Sequence, residues 1–296
     1  MNPLQKIIVL LWLPLILSNN CLADFFPFKS ISTKQEAFAF LNTVDTEKAS
    51  NLWINIKSKL FYENLKLNLE NPESFYPGRS TNFCSYGALS YLVMQCDPLG
   101  YVKFMDDLYN TGKGTYNGNF FQPSAAVMKA AGTLKFKGVL DIRHAEQMWF
   151  LVLADKFKGY LNIINKKYND GDENTFWAST NLAKYNRMVR KMCQYKVESV
   201  GSDLIKPGVK DLYSYLQKRM DSISLITLYI NNRIIHKKNH DRVKFSIPTH
   251  FIIVKEITKE DGVVTLRYWD YGGETLLQFP AKRLRKIVFG ISIIRK

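Results

Sequence analysis

Long apolar runs are almost absent from this sequence of 296 residues. The one clear run, Ile7 to Leu17, is too short to span a bilayer as a helix, which needs ~20 residues. Internal repeats, low-complexity tracts and an evident domain linker are lacking as well. These absences argue against a membrane-spanning protein, a repeat array and a disordered chain. We therefore expect a single globular domain without a transmembrane span.

The apolar run instead has the features of a secretory signal peptide. Lys6 supplies the positive charge before it, and Cys21 and Ala23 place small residues at the −3 and −1 positions of a cleavage site. We predict that residues 1–23 are removed and that residues 24–296 form the secreted or periplasmic protein. A lipoprotein would instead be cut before Cys21, but the two asparagines that precede it fit such a signal poorly.

Acidic residues are also few, with 26 Asp and Glu against 41 Lys and Arg, and the formal net charge is +15. Such a surplus favours acidic partners, for example an acidic surface or the cell envelope. The alternative, which stays open, is that solvated lysines merely keep the protein soluble. No basic stripe is interleaved with aromatic residues, so we expect no specific nucleic-acid partner. Nothing in the sequence predicts the oligomeric state.

Cysteine is scarce, and only Cys84, Cys96 and Cys193 remain once the predicted signal peptide is removed. An exported protein meets oxidising conditions in which disulfides form. Three is an odd number, so at least one thiol is unpaired or bonded to another chain. A Cys96–Cys193 disulfide is one possible pairing, and it would leave Cys84 as the free thiol.

Helical patterns fill the first two-thirds of the mature chain, and a hydrophobic content of 46% is enough for a packed core. Thr33 and Glu36 have capping-box spacing, which predicts a helix that begins there and ends near residue 42. Asp97 followed by Pro98 predicts another helix start. These patterns predict N-terminal helices within residues 24–78 and a helical insert over about residues 97–210. Other helices are predicted over residues 46–69, 84–94, 124–131, 142–157, 181–193 and 211–220.

The last third of the chain changes to the period of β-strands. β-Branched and aromatic residues are concentrated in four short runs, Ile223–Ile230, His250–Ile257, Val263–Trp269 and Ile287–Ile294. Asp261-Gly262, between the second and third runs, is a strong signal for a tight hairpin turn. Helices first and antiparallel strands last predict an α+β domain.

Three residues from distant parts of the chain fall where their chemistry is favoured. Cys84 lies where a loop becomes a helix rich in small residues, and the peptide dipoles at a helix N-terminus favour a thiolate. His250 opens one predicted strand and Asp270 ends its hairpin partner, so the turn returns the carboxylate to the imidazole. A thiol, a histidine base and a carboxylate that orients the base make a nucleophilic triad. Taken singly, Cys84 resembles a core cysteine and Asp270 a strand cap, so the prediction depends on the combination.

The other three histidines give little reason to expect a metal or a cofactor. His144 lies within a predicted helix, while His236 and His240 lie in a segment rich in lysine and asparagine. The spacing of that pair would suit a metal, but no acidic or cysteine ligand accompanies it. We therefore expect neither a metal site nor a cofactor.

The chain resembles papain-like cysteine peptidases, including their bacterial branches, in the order of these three residues and in their surroundings. The cysteine opens the helix NFCSYGAL, the histidine opens the strand HFIIV, and the aspartate ends the strand YWD. The resemblance covers roughly residues 82–270 and implies a papain-like fold with helices packed on a C-terminal antiparallel sheet. It further implies hydrolysis of a protein or peptide substrate by acyl transfer, with Cys84 as nucleophile, His250 as base and Asp270 as orienter.

The segment before the cysteine departs from the family pattern. An oxyanion-hole glutamine often stands several residues before the cysteine, whereas residues 76–80 read YPGRS. Asn82 is the candidate to donate its amide instead, together with the backbone N–H of Cys84, although a loop or capping role explains it equally well. Two alternatives to a peptidase or amidase stay open. One is a Cys-dependent deamidase or transglutaminase-type toxin, and the other is a non-catalytic binding or adhesion protein on the same fold.

Overall fold

The computed structural model describes residues 26–78, 81–134, 142–158, 167–220, 223–232 and 247–296. The predicted signal peptide and the His236/His240 pair lie outside the described residues. Within the described ranges, no helix is both long enough and apolar enough to cross a membrane.

Helices dominate the described chain before residue 194. They are α1 (Lys34–Leu41), α2 (Ser58–Glu70), α3 (Cys84–Cys96), α4 (Pro98–Thr111), α5 (Ala125–Ala130), α6 (His144–Phe157) and α7 (Leu182–Cys193). Short 3₁₀ turns cover Pro72–Ser74 and Asp172–Asn174, and a small antiparallel hairpin, β1 (Gly114–Tyr116) with β2 (Asn119–Phe121), follows α4.

The predicted starts of α1 and α4 are confirmed. The Thr33 hydroxyl accepts a hydrogen bond from the backbone N–H of Glu36 (3.1 Å), and the Glu36 carboxylate accepts one from the N–H of Thr33 (2.7 Å). In α4 the Asp97 carboxylate accepts from the N–H of Gly100 (2.9 Å), and Pro98 occupies the first turn. Both helix starts could be predicted because the signals are local.

The helix predicted over residues 46–69 is wrong in its first half, because α2 begins only at Ser58. Tertiary contacts hold the chain before it in an irregular path. The Trp53 indole N–H donates to the Leu108 carbonyl (2.7 Å), and the Ser50 hydroxyl donates to the Tyr109 carbonyl (2.6 Å). A second error concerns the insert predicted as helical over about residues 97–210, which contains the hairpin of β1 and β2.

The last third of the chain forms a six-stranded antiparallel sheet in the order β3-β8-β4-β5-β6-β7. The strands are β3 (Lys196–Gly201), β4 (Leu225–Ile230), β5 (His250–Glu260), β6 (Val263–Asp270), β7 (Gly273–Pro280) and β8 (Val288–Arg295). Helix α8 (Leu212–Met220) precedes β4, and helix α9 (Ala281–Ile287) precedes β8. The predicted turn between β5 and β6 is confirmed, since Asp261 and Gly262 both have positive φ.

The sequence did not predict β3, β7 and α9. β3 falls within the predicted helical insert over residues 97–210, so that insert is not purely helical. β3 and β7 are the two edge strands of the sheet, and most of their side chains are exposed or half-buried. Because such strands bury little apolar surface, the alternation of apolar and polar residues that predicts a strand is weak in them.

The sheet separates two hydrophobic cores. Helices α1 to α7 form the larger core with sheet residues that include Phe251, Ile253 and Trp269. Helices α8 and α9 cover the opposite face, where Ile252 and Val254 point. The protein is therefore an α+β domain. α3 is buried nearly all round in the larger core, which explains why its sequence is apolar on nearly every side.

Candidate active site

Cys84 is the first residue of α3 and is half-buried. The chain before it is held in place, since the backbone N–H of Asn82 donates to the Glu173 carbonyl (2.8 Å) and the Phe83 ring packs against Phe150 (5.6 Å between centroids). The sulfur therefore lies at the positive end of a helix that is fixed in the core. The first N–H groups of a helix lack an acceptor within it, and the Cys84 N–H is one of these.

The loop before α3 is fixed both to the sheet and to the start of α6. The Trp269 indole N–H donates to the Glu73 carbonyl (2.8 Å), and Arg143 donates to the Ser74 carbonyl (2.9 Å). Gly87, one turn into α3, lies so close to this loop and the sheet that a Cβ there would be 3.1 Å from Pro77 and 3.3 Å from Trp269. The small residues of α3 thus allow the cysteine helix to approach the end of β6.

We expect Gly87→Val to destabilise the protein by about 1–3 kcal/mol, because the added atoms would force α3 away from its neighbours. Chemical denaturation of the purified protein measures the change. Gly208→Val is the matched control, since a Cβ at position 208 meets nothing within 4 Å. Equal stability of the two variants would contradict this account of the packing.

A β-bulge decides how Asp270 meets His250. Near the hairpin tip the register pairs Glu256 with Arg267, but beyond Lys255 it pairs Val254 with Tyr268. Lys255 is therefore an extra residue on β5. The shifted register places Asp270 opposite residue 252, on the same face of the sheet as His250 two residues away. If Lys255 instead paired with Tyr268 in a regular ladder, Asp270 would face residue 253 and point to the opposite side.

The His250 imidazole and the Asp270 carboxylate are buried and hydrogen-bonded to each other through Nε2 of the ring. Burial by itself lowers the pKa of His250, but the charge of Asp270, its hydrogen bond and the neighbouring Cys84 outweigh burial and raise the pKa to about 10. The ring is therefore protonated at neutral pH. Its Nδ1 is buried and makes no hydrogen bond to the residues that the structure describes.

Cys84 lies against the same imidazole. Its thiol is 3.8 Å from the carbonyl oxygen of Thr249, the residue directly before His250, and its proximity contributes to the raised pKa of the histidine. Since Asp270 occupies Nε2, the ring atom left for the thiol is Nδ1. The structure thus brings together the three residues that the sequence singled out, across 166 and 20 positions of the chain.

Tyr271 is part of the site, although no sequence motif includes it. Its ring stacks on the His250 imidazole at 4.4 Å between centroids, with an interplanar angle of 17°. Tyr271 and Gly272 both have positive φ and form the turn from β6 to β7. A non-glycine residue in this conformation is uncommon. The one signal in the sequence that could have pointed to Tyr271 is that it directly follows Asp270.

A cleft of about 500 Å³ opens beside the cysteine. Tyr229 and Phe251, whose rings stack at 4.2 Å, line its inner part. Phe176, at 75% exposure, and Ile247 line its rim. The cleft therefore offers a largely apolar wall next to the thiol.

Asn82 lines the cleft, but its side-chain amide donates to the Thr175 carbonyl (2.9 Å). One of its two N–H groups is therefore used in a contact between loops, and Asn82 does not cap α3, whose N-cap residue is Phe83. The prediction that Asn82 donates to an oxyanion stays a prediction.

The possible Cys96–Cys193 disulfide is not formed in the structure, where both residues are free thiols. They lie at the C-terminal ends of α3 and α7, and the Cys96 sulfur is 3.8 Å from the Cys193 carbonyl oxygen. The hydrogen-bonding contact with Cys96, together with burial, raises the pKa of the Cys193 thiol well above its ordinary value. Cys96 and Cys193 are thus neighbours, as the prediction required, but they are not bonded.

No cluster of three or more histidine, cysteine, aspartate or glutamate side chains that could hold a metal occurs among the residues described. His144 lies at the start of α6, where its Nδ1 accepts a hydrogen bond from the backbone N–H of Lys57 (3.3 Å). A scan of the chain against models of known protein families and a search of curated proteins both give no match.

Proposed function

We propose that this protein is a cysteine hydrolase with a papain-like fold, which cleaves a peptide or amide bond by acyl transfer outside the cytoplasm. The observation that carries the proposal is the state of the His250 imidazole. Asp270 holds its Nε2, and its Nδ1 is left for the thiol of Cys84. A cysteine at the start of a buried helix, a histidine and an orienting acid form the constellation that activates a sulfur nucleophile.

The proposed reaction starts from a thiolate–imidazolium pair. The Cys84 sulfur attacks the carbonyl carbon of the scissile bond, and Nδ1–H of His250 gives its proton to the leaving amine as the C–N bond breaks. The resulting thioester is attacked by water, whose proton passes to the neutral imidazole. Release of the acid restores the starting pair. Asp270 keeps the ring in place throughout, and Tyr271 covers one ring face.

The developing oxyanion needs hydrogen-bond donors. The backbone N–H of Cys84 is one candidate, because it is at the helix start and has no acceptor within α3. The second amide proton of Asn82 is another. A non-catalytic binding protein is the competing proposal, and the hydrogen bond from Asn82 to Thr175 is the observation that favours it.

The cleft favours a substrate with a bulky apolar side chain close to the scissile bond. Its rim carries the exposed Phe176 ring, and its inner part carries the stacked rings of Tyr229 and Phe251. An apolar side chain that covers these groups removes hydrocarbon surface from water on both partners, at ~25 cal/mol per Å².

The proposal is tested by the rate at which iodoacetamide alkylates each cysteine at neutral pH. We expect Cys84 to react first, and we expect His250→Ala to lower its rate at least about tenfold, because the variant loses the cation that stabilises the thiolate. Mass spectrometry of the digested protein assigns the label to each position.

His144→Ala serves as the matched control, since that histidine is half-buried and accepts a hydrogen bond from the backbone of Lys57. Its alkylation rate at Cys84 should equal that of the wild type. Equal Cys84 rates in the wild type and in His250→Ala would refute an activated nucleophile and leave the binding protein as the better proposal. So would a disulfide at Cys84 in the purified protein.

A further inference from the structure

Two exposed aliphatic side chains project from the turn after β3. Leu204 is 86% exposed and Ile205 is 72% exposed, although both residues are large and apolar. The turn is ordered by its own hydrogen bonds, since the Ser202 hydroxyl accepts from the N–H groups of Leu204 (3.3 Å) and Ile205 (2.9 Å). The Ser202 N–H in turn donates to the Ile205 carbonyl (2.8 Å). The backbone therefore presents this apolar pair to the surroundings in a fixed conformation.

The next residue attaches the turn to α9. Lys206 donates from its Nζ to the carbonyl of Lys286 in the last turn of α9 (2.8 Å). The same ammonium group lies 4.6 Å from the centre of the Phe289 ring. The turn is consequently joined to α9 through Lys206, while Leu204 lies beside the first residues of α7, with which it lines a cleft of about 300 Å³.

This region is strongly basic. The turn, α8 and α9 contribute seven exposed basic side chains, which are those of Lys206, Lys210, Lys218, Lys282, Arg283, Arg285 and Lys286. Asp203 and Asp211 are the acidic residues within residues 202–220 and 281–287, and their carboxylates accept hydrogen bonds from the N–H of Leu182 (3.1 Å) and from Ser214 at the start of α8, respectively. The region therefore carries a concentrated positive charge beside an exposed apolar pair.

We infer that this surface, formed by Leu204, Ile205 and the basic residues of α8 and α9, docks on an anionic lipid bilayer. Lysine and arginine side chains are attracted to the charged headgroups, and aliphatic side chains beside them enter the boundary between headgroups and acyl chains. A nucleic acid would explain the charge but not the apolar pair, because bases bind by stacking on aromatic rings. The surface shares no residue with the cleft, so the inference does not depend on hydrolysis.

Vesicle sedimentation tests the inference with the purified protein. We expect binding to vesicles that contain phosphatidylglycerol, weak binding to pure phosphatidylcholine, and a decline as NaCl is raised. The double variant Arg283→Glu, Lys286→Glu should weaken binding about tenfold or more. The double variant Leu204→Ser, Ile205→Ser should also weaken it about tenfold at unchanged charge.

Matched variants on the helical side of the molecule control for charge and hydrophobicity. Lys113→Glu with Lys129→Glu makes the same change in net charge at exposed positions, and Ile54→Ser removes another exposed aliphatic group (67% exposed). Both should bind vesicles like the wild type. Equal losses in the two charge variants would overturn the assignment to this surface. Wild-type binding by the Leu204/Ile205 variant would overturn lipid insertion, as would tighter binding to duplex DNA than to the anionic vesicles.

Discussion

Replacing Cys84 with alanine is expected to lower the hydrolysis of a peptide substrate at least about 10⁴-fold, because the attacking atom is removed. The melting temperature should change little, since the side chain is small and only half-buried. A fluorogenic peptide with a large apolar residue next to the cleaved bond reports the rate, and calorimetry reports the stability.

The other two cysteines provide the controls for this experiment. Cys96→Ala and Cys193→Ala remove buried thiols at the C-terminal ends of α3 and α7, whereas Cys84 lies at the N-terminal end of α3. Each should keep the turnover of the wild type while losing some stability. Wild-type turnover in Cys84→Ala would end the proposal of a cysteine hydrolase, whatever the two control variants do.

Two substitutions of Asp270 are expected to separate its two effects on His250, which are the orientation of the ring by a hydrogen bond and the negative charge beside it. Asp270→Ala leaves Nε2 of His250 buried without its acceptor, and we expect kcat/KM to fall about 10²-fold or more. Asp270→Asn can still accept the Nε2–H bond through its amide oxygen, so we expect it to keep substantially more activity than the alanine variant. Equal losses in the two variants would contradict an orienting role for the hydrogen bond.

The same carboxylate should govern how stability depends on pH. The pKa of His250 is raised to about 10 in the folded protein, against 6.5 for an ordinary histidine. The resulting stabilisation is fully present below pH 6.5 and is lost as pH rises through 10, because the folded state then releases the extra proton. We expect Asp270→Asn to flatten this decline in the free energy of unfolding between pH 7 and pH 10.

Urea denaturation at several pH values measures the decline. Asp261→Asn is the matched control, since Asp261 is exposed at the tip of the β5–β6 hairpin, where asparagine also fits a positive φ. Its stability should vary with pH as that of the wild type does. A wild-type profile without a decline would show that His250 is not held in its protonated form by Asp270.

Much of this fold could be predicted from local signals. Capping residues predicted the starts of α1 and α4, β-branched runs predicted the four interior strands, and Asp261-Gly262 predicted the hairpin between β5 and β6. The edge strand β3 was not predicted because its stability comes from pairing with β8, and not from a hydrophobic pattern of its own. The irregular chain around Trp53 was predicted as helix because its hydrogen-bond acceptors lie in α4, far along the sequence.

The site was predictable in its composition but not in its geometry. A cysteine at a helix start and a histidine at a strand start are visible in the sequence, and the turn between β5 and β6 argues that Asp270 returns to His250. No local signal gives the extra residue at Lys255, although the side on which Asp270 points depends on it. The stacking of Tyr271 on the histidine likewise depends on a turn with two positive φ angles, which sequence alone leaves unspecified.

The unpaired residue at Lys255 also limits how this chain can change in length. Adding or removing residues at the tip of the β5–β6 hairpin leaves the partners of His250 and Asp270 untouched, because the strands beyond the bulge keep their relation. Losing Lys255 itself would leave a regular ladder in which Val254 still faces Tyr268, whereas losing a residue of β6 between the tip and Asp270 would turn the carboxylate to the other face of the sheet and separate it from the imidazole. Descendants of this sequence are therefore free to vary the hairpin loop and to lose the bulge residue, whereas a deletion in β6 is compatible with the site only if a second deletion compensates it.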